Sequence, residues 1–127
     1  MVTQRHIQAT KADPEDLLTR SKLPTFFAVN QPEMLPLALP AKGPGQHVRV
    51  WARSLSGMQK ECIVASALGT VWRLASDEGP YLDGFDAAPC PLAFMTVGMV
   101  SSYMNSLLAV ANARELKVHD LALVQNN

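Results

Sequence analysis

The stretch "GFDAAPCPLAFMTVGMVSSYMNSLLAVANA", Gly84–Ala113, decides how this chain folds. Most of it is one apolar run, and a cysteine stands between two prolines where that run begins. Pro91 suits the first position of a helix, because its missing N–H would have no partner there and its φ is already helical. The spacing predicts a helix from about Pro91 to Ala113, with Cys90 as its N-cap. Phe94, Met95, Val97, Met99, Val100, Tyr103, Met104, Leu107, Leu108 and Val110 go right round such a helix. A helix that is apolar on every side is buried in protein or spans a membrane. Its length would reach across a bilayer, but Gly98, Ser101, Ser102, Asn105 and Ser106 interrupt it and no Lys or Arg flanks its start. The expectation is burial inside protein, with no membrane contact.

Upstream, the period changes from helical to strand-like. "HVRVWARSL" sets Val48 and Val50 on one face and Arg49, Trp51 and Arg53 on the other. Ser56-Gly57 supplies a turn, "MQKECIVAS" a second strand and, after Gly69, "GTVWRLAS" a third. "DEGPYLDGFDAAPCP" is a turn-rich loop, and beyond the helix "LKVHDLALVQ" has the pattern of a final strand. The fold class expected is α+β, an antiparallel β-meander packed on a long buried central helix over residues 46–127. Three strands cover only one side of that helix, so the domain is expected to be incomplete alone.

Residues 1–45 form a separate expectation. "ADPEDLLTRSK" predicts a short helix with Asp13 as N-cap, Pro14 at its first position and Glu15 and Asp16 at its positive end. "LPTFFAVNQPEMLPLALPAKGPGQ" follows, and Pro24, Pro32, Pro36, Pro40 and Pro44 exclude a helix or central strand. Phe26, Phe27, Leu35, Leu37 and Leu39 are too apolar for a free linker. An extended arm packed along another surface, crossing to a partner, fits them.

At 127 residues the chain is one domain's length. Charge is balanced, with 11 basic and 11 acidic residues and no block of either sign, which argues against nucleic acid as a partner. Hydrophobic residues make up 48% and charged ones only 17%, an apolar balance that points to surface buried against another chain. The polar N-terminus lacks a signal-peptide core, so a cytoplasmic location is expected. Cys62 and Cys90 are then two reduced thiols. His6, His47 and His119 are scattered singly, so no metal site within the chain is expected, and no cofactor.

The segment "DEGPYLDGFDAAPCPLAFMTVGMVSS" resembles the centre of the OsmC/Ohr family, thiol-dependent peroxidases that reduce organic hydroperoxides. That family has an acidic "DE-x-P" strand end, a "GG-x-D-x-GP-x-P" loop and a long central helix carrying the peroxidatic cysteine. Here the loop is Asp77-Glu78-Gly79-Pro80, then Gly84-Phe85-Asp86-Ala87-Ala88-Pro89-Cys90-Pro91. The resemblance covers roughly residues 46–125. It departs from the family where the chemistry lies. The family's cysteine position falls at Ser102, and its glutamate near Leu92 or Ala93. The family's second half, with its second cysteine, is missing. Its members are intertwined dimers with sites between subunits, so the resemblance implies a hetero-oligomer with a second polypeptide like the missing C-terminal half.

Cys90 is the candidate catalytic residue. A thiol at a helix N-terminus meets the positive dipole end and unpaired N–H groups, which favour a thiolate nucleophile; the alternative is a small buried residue. Ser102, at the family's cysteine position, is a candidate for binding a substrate oxygen, with Ser101 beside it. Phe94, Met99 and Tyr103 would line an apolar pocket for a small-molecule substrate. Arg53, with Arg49 and Arg73, is a candidate for the arginine that the family draws from its sheet region. Asp86 would brace the loop or act in acid–base chemistry. Three functions are open: a subunit of a heteromeric OsmC-like enzyme using Cys90 for hydrolysis, group transfer or peroxide reduction; a non-catalytic subunit completing an active partner; and a module binding an apolar ligand.

Overall fold

A computed structural model describes residues 13–44 and 47–126. The architecture is α+β: a four-stranded antiparallel sheet followed by a long C-terminal helix. The elements run α1 (Leu17–Ser21), β1 (Phe26–Ala28), β2 (Val48–Ser54), β3 (Lys60–Ser66), β4 (Val71–Ser76) and α2 (Pro91–Ala113). The sheet order is β1-β4-β3-β2. The meander of β2, β3 and β4 turns at the expected glycines, Gly57 with φ 53° and Gly69 with φ 96°, where a side chain would be strained.

The arm does not leave for another chain. Phe26–Ala28 adds an edge strand to β4, in register Phe27↔Arg73, so both expected segments share one sheet. Pro24 and Pro32 stand outside this strand, where no ladder N–H is needed. The arm then turns at Pro32–Met34 and runs back across the sheet, tied by a hydrogen bond from Arg49 Nη1 to the Ala38 carbonyl at 2.8 Å.

Register divides the sheet into two faces. Phe27, Arg73, Ile63 and Trp51 stand in one row, with Glu61 and Arg53 beside them, and this is the face the arm crosses. The other face carries Phe26, Trp72, Leu74, Cys62, Val64 and Val50. Phe26 and Trp72 stack there at 4.8 Å between ring centroids. Val48 and Val50 remain largely exposed on it.

α1 begins later than its sequence suggests. Asp16 is the N-cap, its Oδ1 accepting from Thr19 N at 3.0 Å, while Asp13 stays outside. These bonds to Thr19, then Gln59, hold the Asp16 carboxyl below its ordinary value. Leu18 is buried in a small core with Ala75 and Ala88.

The central helix forms over the expected residues but is not buried. It does not pack on the sheet, and of its 23 residues only Ala111 is buried. Residues 116–126 form no strand. The two outcomes share a cause: a helix that leads the chain away from the sheet gives the segment after it no edge to pair with.

Candidate functional site

Two buried polar side chains build the start of α2. Asp77, just beyond β4, accepts from Glu78 N at 2.8 Å through Oδ1, and from Phe85 N at 3.1 Å and Ala87 N at 3.2 Å through Oδ2. One carboxylate thus gathers three amides from the two ends of the loop, a strong set of charge-assisted bonds. Gly84 makes the closing turn possible: a Cβ there would lie 1.9 Å from the Glu78 carbonyl oxygen. Asp77 N donates to Pro89 O at 3.3 Å, which brings the loop's end back to the strand it left. Asp86, a candidate brace, is exposed with φ 56°, and Asp77 does that work instead.

Gln59, in the β2–β3 turn, locks this loop to α1. Its Oε1 accepts from Leu17 N at 2.9 Å and Leu18 N at 3.1 Å, and its Nε2 donates to Asp16 at 2.7 Å and Asp77 at 3.4 Å. The result is a fixed platform from which Cys90 leads into α2. Cys90 has the extended backbone of an N-cap, φ −70° and ψ 159°, and its thiol makes no capping hydrogen bond. Its carbonyl accepts from Ala93 N at 2.9 Å, and the residue is half-buried.

Further along α2, Phe94, Met99, Ser102 and Tyr103 line one shallow groove of about 580 Å³. Its floor is the small-residue line Gly98, Ser102 and Ser106, spaced one turn apart, and its banks include Met95, Met99 and Tyr103. Ser101 lies outside the groove. The hydroxyls that bond back into the helix are Thr96, to Leu92 O at 2.9 Å, and Ser106, to Ser102 O at 3.2 Å. Neither Cys90 nor Arg53 lines this groove, so the expected constellation does not converge within the chain.

Arg53 belongs to a different place. On the arm-covered face its Nε donates to Glu61 Oε2 at 2.6 Å, while Arg73 Nε donates to Glu61 Oε1 at 3.1 Å. Burial pushes the Glu61 carboxyl up, but hydrogen bonds and charge from Arg53 and Arg73 outweigh it and hold the group below its ordinary value. Sequence reasoning passed over Glu61; the signal was the one acid among the residues of β2, β3 and β4. It also missed Gln59, whose amide carries no charge or period to mark it.

Among the described residues no three His, Cys, Asp or Glu side chains come close enough to hold a metal ion. His6 lies outside the described residues. By length and composition α2 is apolar enough to cross a bilayer. No family model, no curated protein and no solved structure matches the chain.

Proposed function

We propose that this chain is a subunit of a heteromeric OsmC-like enzyme in the cytoplasm. In this reading a second polypeptide, resembling the C-terminal half of that fold, covers α2, and Cys90 is the nucleophile toward a small apolar electrophile. Exposure of α2 carries the reading. Met95, Val97, Met99, Tyr103 and Val110 are each more than half exposed. A contiguous apolar surface of that extent marks an interaction site, and covering it is favourable at roughly 25 cal/mol per Å². The groove over Gly98 and Ser102 accepts a ridge of side chains from an apposed element. Cys90 would then sit at the rim of the covered surface, where a substrate held against Phe94 meets the thiol, while Ser102 and Tyr103, roughly 18 Å further along the helix, would face the covering polypeptide.

A second reading, a non-catalytic subunit that completes an active partner, is favoured by one observation: the Cys90 thiol makes no capping hydrogen bond that would hold it for chemistry. Iodoacetamide alkylation of the chain in a Cys62→Ser background separates the two. A rate already level near pH 7 supports the nucleophile. A rate that climbs through about pH 8.5, as for an ordinary thiol, rejects it. Co-sedimentation with phosphatidylcholine vesicles tests the covering: binding there would assign α2 to a membrane in place of a polypeptide.

A further inference from the structure

The arm-covered face of the sheet holds a cavity of about 560 Å³, closed on one side by the arm's Leu35, Pro36 and Leu37. That volume is in the range of small-molecule sites, about 300–1,000 Å³. Its walls have two chemistries. Phe27, Trp51, Ile63 and Leu37 are apolar, while Arg53, Glu61 and Arg73 form a linked charge cluster within the same wall.

The two arginines stand differently. Arg73 is buried and committed: Nε donates to Glu61, Nη1 donates to the Pro24 carbonyl at 2.9 Å, and the guanidinium lies 5.6 Å from the Phe27 ring centroid. Arg53 is 72% exposed in its side chain, and its Nε shares the carboxylate that Arg73 already neutralises. Two guanidiniums face one carboxylate, so the cluster carries an excess of one positive charge. Arg49, on the same face by register, adds a further cation above Trp51. Because Arg73 stays on Glu61, Arg53 can turn its planar fork to another anion without leaving a buried charge alone.

We infer that this cavity binds a hydrophobic carboxylate, a monoanion whose apolar body lies against Trp51, Ile63 and Leu37 while its carboxylate pairs with Arg53. Arg49 does not line the cavity, so the excess within its wall is the single charge of the Arg53–Glu61–Arg73 cluster, which matches a monoanion, and the guanidinium fork matches two coplanar oxygens. The walls require that the rest of the ligand be apolar. The cavity contains neither Cys90 nor any residue of α2, so it stands whether or not Cys90 is a nucleophile.

Octanoate and octan-1-ol, titrated into the full chain by calorimetry, test the inference. In a Trp72→Phe background the fluorescence of Trp51 follows the same binding. Octanoate should saturate one site and bind more tightly than the alcohol. Arg53→Gln changes an exposed side chain and should weaken octanoate roughly tenfold or more while leaving octan-1-ol within about twofold, the loss expected for one charge-assisted hydrogen bond. Leu37→Glu, which brings a competing carboxylate into the cavity from the arm, should abolish octanoate binding. The inference is overturned if octanoate shows no saturable binding, or if Arg53→Gln binds it as the wild type does.

Discussion

Gln59 Nε2 lies 3.4 Å from Asp77 Oδ2, and both side chains are wholly buried. Through them the first turn of α1, the β2–β3 turn and the loop before α2 become one polar joint, in a chain whose apolar core is small. Buried polar groups carry such weight because each, once unpaired, costs its full desolvation.

Asp77→Ala should strip the loop amides of Glu78, Phe85 and Ala87 of their acceptor and destabilise the fold by about 3 kcal/mol. Asp77→Asn, which keeps one oxygen, should lose about half as much. Urea midpoints at unchanged slope measure both.

Two glycines should respond in opposite directions. Gly84→Ala places a methyl group 1.9 Å from the Glu78 carbonyl oxygen, so the loop must open, at a cost of 2 kcal/mol or more, roughly the strain of a crowded backbone. Gly98→Ala has nothing within 4 Å and should raise the helicity of the chain by about 1 kcal/mol of propensity. Circular dichroism melts read both signs. If a partner packs into the groove, the same Gly98→Ala should weaken that association.

Met99→Glu tests whether α2 is bare. In the chain alone, stability should change by less than about 0.5 kcal/mol, as for other solvent-facing positions. If a polypeptide covers α2 as proposed, the same change should abolish that assembly, as followed by analytical ultracentrifugation.

The Glu61 cluster predicts a pH dependence. The folded carboxyl titrates below its ordinary value of 4.5, so the unfolded state binds more protons in the window between the two. Its contribution is therefore present above about pH 4.5 and lost as pH falls through the folded value. The stability difference between wild type and Glu61→Gln, measured by urea titration from pH 7 to 3, should shrink along that course.

Alternation in "HVRVWARSL" and the glycines at 57 and 69 made the meander legible, because period and turn chemistry are local properties. The extent of α2 and the cap at Cys90 were legible for the same reason: Pro91 and the apolar run mark them directly. The strand at Phe26–Ala28 was hidden by its flanking prolines, which speak only of what surrounds it. The partnership of Arg53 with Glu61 and Arg73 depends on cross-strand register, which no single strand reveals. The place of α2 and the state of residues 116–126 depend on long-range contacts, and local pattern is silent on those.

The exposed helix also sets an order of events during folding. β2, β3 and β4 join neighbours through short turns, so their pairing has low contact order and proceeds quickly on the chain's own account. α2 adds no packing to that step. Each newly folded molecule therefore presents an exposed apolar helix, open to collision with others of its own kind. Production of this chain at high concentration on its own should favour aggregates, and slow synthesis at low concentration should favour soluble protein.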